Sequence, residues 1–214
     1  MSTETTNKTT KKNSTGIKVR YIAGVGMLSA VAFILQYFEI VIPIMPSFIK
    51  FDFSDLPALL GAFAYGPLAG VLIEFIKNLL HCAVSQSATV GELSNFILGG
   101  VFTFTAGLIY KKNKTKKSAL LGSIIGAVLM GIISLPSNNF IVYPFYYNFM
   151  PKEAVLGAYQ EIVRMMTGKE GSPSSIMQCL LIFNLPFTII KGLISVVITM
   201  FIYKPLSPVL KGRN

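Results

Sequence analysis

Three clusters of positive charge flank or separate the long apolar stretches of this chain, and together they limit how many times it can cross a bilayer. Lys111, Lys112, Lys114, Lys116 and Lys117 lie between two apolar runs. Lys8, Lys11, Lys12, Lys18 and Arg20 precede the first run, and Lys204, Lys211 and Arg213 follow the last. These clusters hold most of the chain's 19 Lys and Arg. Short basic segments of membrane proteins stay on the cytoplasmic side. All three clusters therefore belong on one face, and the spans between them must match that count. Only 13% of the residues are charged, where a soluble domain is nearer 25%. The mean hydropathy of +0.62 points the same way. A net charge of +10 would suit nucleic acid, but the clusters sit beside apolar spans. Topology and anionic lipid headgroups account for them, and no nucleic-acid partner is expected.

An all-α integral membrane bundle follows, and it can be read span by span. Residues 1–16 are mostly Thr, Asn, Lys and Ser without apolar periodicity, which predicts a disordered cytoplasmic tail. A first helix over about 17–39 is long enough for a hydrocarbon core of ~30 Å. Its apolar run, 21–38, exceeds the roughly 7–15 residues of a signal-peptide core. No A-x-A site follows, so a retained span is expected. Residues 40–54 are apolar but broken by Pro43 and Pro46. Proline stops a helix, and non-helical backbone does not face lipid. The segment is read as an outer lid loop folded back over the bundle. Ser54 and Asp55 offer an N-cap for a short second helix over 55–65. Gly66-Pro67 breaks it, and a third helix covers 67–81. A fourth opens at Gly91-Glu92 and ends at Tyr110, a fifth covers 118–142 and a sixth 175–203. Residues 143–174 read as a polar, aromatic outer loop, and 206–214 as a cytoplasmic tail closing a membrane domain of 17–205. Counted from a cytoplasmic N-terminus, six transmembrane helices return both the lysine-rich loop and the C-terminus to the cytoplasm. Fusing the second and third helices would put the lysine-rich loop outside, so the charge rule argues for the break at Gly66-Pro67.

Ionisable residues within or bordering spans are costly in hydrocarbon and are functional candidates for that reason. They are Glu39, Asp55, Glu74, Lys77, His81, Glu92 and Lys191. Asp55 reads first as a cap and Glu39 as an interfacial carboxylate. Glu74 and Lys77 are one turn apart and suit a pair. With His81 four residues further on, they read either as a structural pair beside an interfacial histidine or as a proton relay. Lys191, within TIIKGLISVV, stands about one turn into the membrane if Pro186 interrupts the sixth helix. Glu92, Asn138 and Asn139 would stand at the same level. One cation, one carboxylate and several amides under an apolar loop suit a small, mostly apolar ligand with a few polar groups. No G-x-x-x-x-G-K-[ST], G-x-S-x-G or H-E-x-x-H occurs, so neither a nucleotide engine nor hydrolytic chemistry has an anchor, and no enzyme is expected. One His without a nearby carboxylate pair offers no metal site. Cys82 and Cys179 read as small buried hydrophobes. Gly26 and Ala30 form a small-x-x-x-small pair that lets helices approach closely, either inside the bundle or against a partner.

The stretch PSFIKFDFSDLPALLGAFAYGPLAGVLIEFIKNLLH, then GELSNF, Asn139-Phe140 with Pro144, and PFTIIKG, occur in that order. They resemble the riboflavin-specific substrate-binding subunits (S components) of energy-coupling factor transporters over about residues 18–205. The resemblance implies a six-helix subunit in a prokaryotic plasma membrane, binding riboflavin near its outer face under the loop 40–54. It implies a transmembrane coupling subunit and two cytoplasmic ATPases as partners, and no resident cofactor. It places Glu92, Asn139 and Lys191 on the flavin and the Gly26 and Ala30 pair on the coupling subunit. Thr188 stands where the family often has Asn, and Asn184 lies one turn earlier, placed to compensate. Lys191, Thr188 and Asn139 would address the flavin's uracil-like edge and Glu92 the ribityl hydroxyls. Met45, Phe48 and Ile49 would cover the ring. Two alternatives stand beside this reading: an S component for another vitamin, and a self-contained proton-coupled carrier.

Overall fold

The computed structural model describes residues 3–85, 88–168 and 170–211, with side chains placed from 18 to 206. Arg213 of the third basic cluster lies outside the described residues. Among the described residues seven principal helices form: α1 (Thr3–Tyr37), α2 (Asp55–Tyr65), α3 (Pro67–His81), α4 (Val90–Lys112), α5 (Lys116–Ser137), α6 (Lys152–Thr167) and α7 (Leu185–Lys211). Two-residue strands β1 (Ile40–Val41) and β2 (Lys50–Phe51) pair antiparallel, Ile40 with Phe51 and Val41 with Lys50. The prolines that end α1's apolar stretch thus sit in a small hairpin.

Each boundary has a local cause. Gly66 turns the chain at φ +109, a conformation glycine adopts without a Cβ penalty, and Pro67 starts α3 where its missing N–H costs nothing. α2 and α3 then run back along each other: a Cβ on Gly70 would meet the Ala62 Cβ at 2.8 Å, and Lys77 pairs with Asp55. Thr115 caps α5 by accepting from the Ser118 N–H at 3.1 Å. Pro136 lies inside α5, and a π-turn (Asn138–Val142) follows it directly before a last turn, Tyr143–Tyr146. A second π-turn (Leu180–Asn184) stands just before Pro186, between the turn Ile176–Cys179 and α7. Proline removes one backbone hydrogen bond, and both helices absorb that loss beside a one-residue bulge.

The basic segments gather at one end of the bundle. Tyr21 meets Tyr65 edge-on at 5.9 Å, Phe63 packs on Tyr110 at 4.9 Å, and the Tyr110 and Tyr203 hydroxyls are 3.2 Å apart. Arg20, Lys111 and Lys204 are sequence neighbours of these aromatics. The core beside them is built from Leu59, Phe63, Phe102, Ala106, Ala127 and Val196.

Several expectations change. Five stretches among the described residues are long and apolar enough to cross a membrane: Lys18–Tyr37, Pro67–Val84, Val90–Lys112, Lys116–Tyr146 and Ile176–Leu206. α2, with 11 residues, is about 16 Å long, roughly half a hydrocarbon core, and is enclosed by its neighbours rather than facing lipid. The segment 1–16, read as a disordered tail, is helical from Thr3; extending a helix that already exists costs far less than nucleating one. The fifth helix ends at Tyr146 rather than 142, because the π-turn carries it past Pro136. The segment 143–174, read as an outer loop, is not simply a loop. It contains α6, whose Val155, Tyr159 and Ile162 are buried, the first two against Tyr143, Tyr146 and Leu180. α7 also runs on to Lys211, into the region read as a tail.

Candidate functional site

Opposite the aromatic end, the hairpin and the ends of α1, α3, α4, α5 and α7 enclose a cavity of about 580 Å³. That is an ordinary size for a small-molecule site. Phe48, Leu98, Met130, Val142 and Phe187 supply apolar surface, while Asn95, Asn138, Asn184, Thr188 and Lys191 supply polar groups. Phe48 reaches in from the hairpin and packs on Tyr146 and Tyr159 at 5.7 and 6.1 Å. Both π-turns open onto this space, one through Asn138 and Val142, the other through Asn184. Such bulges recur at functional sites because they turn helical side chains out of regular register.

At Lys191 the cavity meets a buried charge network. The Lys191 ammonium donates to Asp52 Oδ2 at 2.9 Å and Asn95 Oδ1 at 3.3 Å and lies 3.6 Å from Asp55 Oδ2. Behind it, Lys77 donates to Ser54 Oγ at 2.6 Å and Asp55 Oδ1 at 2.8 Å. Glu74 Oε2 is also 2.8 Å from Lys77, although neither Glu74 oxygen has an aligned hydrogen bond. Asp52 further accepts from the Ser54 backbone N–H at 2.8 Å and from its hydroxyl. Three carboxyl groups and two ammonium groups are thus sealed where the hairpin enters α2. Charges so placed are tolerable only when paired. Burial opposes the charge on Asp52, but the Lys191 and Lys77 ammoniums outweigh it and hold the carboxyl well below the usual carboxylate range.

A second polar group lies across the cavity. His81 Nδ1 is 2.8 Å from Glu92 Oε1, and Ser85 Oγ donates to Glu92 Oε2 at 2.9 Å. On the side covered by α6, Tyr159 donates to Asn184 Oδ1 at 2.7 Å, Asn184 Nδ2 donates to the Tyr143 hydroxyl at 3.2 Å, and the two tyrosine oxygens are 2.5 Å apart. Burial, then the Tyr143 hydroxyl beside it, pushes the Tyr159 phenol far above its ordinary value, so it stays a neutral donor.

Of the residues singled out from the sequence, Glu92, Asn184, Thr188, Lys191, Phe48 and Ile49 line the cavity. Met45 is buried but does not reach it. Asn139 does not line it either; its neighbour Asn138 does, held by Ser94. Successive helical residues point about 100° apart, and Asn138 shares a helix face with Met130. Gly26 and Ala30 are exposed on α1, away from internal packing. His81 faces Glu92 rather than Lys77, so the Glu74, Lys77 and His81 relay does not assemble. Asp55 is no side-chain cap but a counterion. Asp52, Asn95 and Tyr143 were missed. Asp52 had a legible signal: a carboxylate in an apolar segment folded over the bundle needs a cation.

A family model described as "ECF transporter, substrate-specific component" matches residues 20–203. Riboflavin transporter RibU of Staphylococcus aureus (strain TCH60) is 32% identical over 187 residues, covering 87% of this chain and 90% of that protein. Riboflavin transporter FmnP of Bacillus subtilis (strain 168) is 31% identical over 195 residues, covering 90% and 94%. A solved structure, "Structure and mechanism of the S component of a bacterial ECF transporter", superposes with a TM-score of 0.68 at 32% identity, covering 91% of this chain and 99% of that one. The chain belongs to the family of substrate-specific components of ECF transporters; it is a multi-pass membrane protein and not an enzyme.

Proposed function

We propose that this substrate-specific component binds riboflavin in the cavity beneath the hairpin and delivers it for uptake through a transmembrane coupling subunit and two cytoplasmic ATPases. The observation that carries the reading is the cavity itself. One space combines aromatic and aliphatic walls with a fixed cation and several amides, which suits a flat, largely apolar heterocycle with a polar edge. The relatives named for riboflavin narrow the ligand. Lys191, Thr188, Asn184 and Asn138 address the heterocycle's polar edge, Glu92 the polyol, and Phe48 and Ile49 close over the ring. Met45 supports the hairpin from behind, and Asn139 stands outside the contact set. The cavity opens at the outer face, and the basic clusters lie in the cytoplasm with both termini. The chain then crosses six times, α2 counting as a short enclosed crossing. Gly26 and Ala30, exposed on α1, are offered to the coupling subunit, whose backbone they allow to approach closely.

The test is an absorption spectrum of the chain purified in detergent, followed by titration of stripped protein with riboflavin. Visible flavin bands and saturable quenching of flavin fluorescence are expected. A colourless protein that quenches nothing would overturn the ligand assignment and leave the family membership intact.

A further inference from the structure

The polar group around Glu92 is built to hold one carboxylate still. Glu92 stands in the first turn of α4 and is 5% exposed, so its carboxylate is costly to bury unless hydrogen-bonded. Each of its oxygens takes a bond from the protein. A carboxylate only accepts, so His81 Nδ1 carries the hydrogen it shares with Oε1 at 2.8 Å. Ser85 Oγ donates to Oε2 at 2.9 Å. The two donors are held to different degrees. His81 ends α3, is buried, and meets Phe33 of α1 edge-on at 6.2 Å. Ser85 is half-buried in the connection to α4, where its hydroxyl also accepts from the Thr89 N–H at 3.0 Å. That connection bends through Ala88 and Thr89 at φ +51 and +69. Residues other than glycine adopt this left-handed backbone at a cost, and it persists where surrounding contacts enforce it. His81, Ala88, Gly91 and Glu92 all line the cavity.

We infer that His81 is the positioning residue for the polyol end of the site: it fixes the Glu92 carboxylate in the orientation that meets the ligand's hydroxyl chain, and it acts on the ligand through Glu92. The inference rests on the reading of Glu92 as the polyol contact given above. Clamping does not silence the carboxylate, because each oxygen can accept more than one hydrogen bond. Without the imidazole N–H the Glu92 side chain regains rotamers, and ordering it again on binding costs affinity. The loss falls on the hydroxyl chain and not on the ring, which Thr188 and Lys191 address from α7. Preference for a flavin that carries a polyol is thus set where α1, α3 and α4 meet, by Phe33, His81 and Glu92. This also gives His81 a role although its relay with Glu74 and Lys77 does not assemble.

The test titrates the purified full chain with riboflavin and with lumiflavin, which carries the same ring and a methyl group in place of the ribityl chain. The proteins are the unaltered chain, His81→Phe, His81→Asn, Glu92→Ala and the double variant His81→Phe with Glu92→Ala, and thermal unfolding confirms that each folds. His81→Leu serves in place of His81→Phe if the phenyl ring does not fit. The unaltered chain is expected to prefer riboflavin by at least about tenfold, the size of a hydrogen bond to a charged group. That preference should fall roughly three- to tenfold in His81→Phe and largely return in His81→Asn, whose amide N–H stands close to the place of Nδ1. In Glu92→Ala it should be lost already, and adding His81→Phe should change it no further, as expected when one residue acts through the other. A His81→Phe variant that weakens both flavins by the same factor has a merely structural role and would overturn the inference. So would one that lowers the preference equally with Ala or Glu at 92, since His81 would then touch the ligand itself. Either result leaves the flavin assignment standing. An unaltered protein that binds neither flavin would overturn both.

Discussion

Lys191 has three N–H bonds and donates two within the protein, to Asp52 and Asn95, while Asp55 Oδ2 lies 3.6 Å away, beyond hydrogen-bond length. Its charge is paired before any ligand arrives, with one N–H not spent on a protein hydrogen bond, and it ties the residue that follows the hairpin to α7. Two consequences of removing it can be separated. Lys191→Ala strips Asp52 and Asp55 of a buried counterion, a loss of about 3–5 kcal/mol when one partner of such a pair goes. It also takes a cation from the cavity wall. We expect at least a tenfold loss of riboflavin affinity together with a lower unfolding temperature. The double variant Lys191→Met with Asp52→Asn removes both charges of the pair, so most of the stability should return while the affinity does not. Affinity that recovers with stability would mean that Lys191 acts only through the fold. Asp52 itself shows how far a sequence reading reaches. Its carboxylate is obvious in FDFSD, and its burial follows from the apolar segment around it. Its partner lies 139 residues away, and nothing local names it.

Among the elements, the contact between α3 and α4 is set by one missing side chain. A Cβ on Gly99 would lie 2.4 Å from Glu74 Oε2 and 2.6 Å from its Cδ, and Glu74 is sealed with nowhere to move. Gly100, one residue on, would place a Cβ where nothing stands within 4 Å. Gly99→Ala is expected to destabilise the protein by about 1–3 kcal/mol through overpacking, and to disturb the charge network through Glu74. Gly100→Ala should be neutral or slightly stabilising, since alanine holds a helix better than glycine. Thermal unfolding of the two variants in the same detergent checks the contrast, and equal behaviour would contradict it. The two π-turns belong to this scale as well. Pro136 and Pro186 announce that each helix must be irregular nearby, and the reading of Pro186 as an interruption located the second irregularity within two residues. Proline does not say whether a helix kinks, stops or bulges. The bulge decided which asparagines face inward.

For the molecule as a whole, the inner faces of the spans converge on one aromatic cluster beside the basic segments, and the cavity opens at the other end. With Cys82 and Cys179 replaced by Ala, Asn113→Cys in the lysine-rich connection and Glu170→Cys in the outer segment give two exposed reporters. A membrane-impermeant thiol reagent should label Glu170→Cys in intact cells and Asn113→Cys only in inverted vesicles. The reversed pattern, Asn113→Cys labelled in intact cells and Glu170→Cys only in inverted vesicles, would break the six-crossing topology, because it is what the chain gives when α2 is no crossing and the N-terminus stays cytoplasmic.

The all-helical membrane bundle, the common end of the basic segments and the break at Gly66-Pro67 were determined by the chain's own order, because hydropathy, helix length and proline chemistry are local properties that persist in any membrane fold. That 40–54 folds back against the bundle followed for the same reason: a broken apolar segment has only the protein to hide in. The tertiary structure alone decided that Asp52 answers Lys191, that His81 answers Glu92, that Asn138 rather than Asn139 faces the cavity, and that Tyr159 bonds to Asn184. Each is a pairing between elements. Its energy depends on distances of a few ångströms between groups far apart along the chain, and those exist only once the helices have packed.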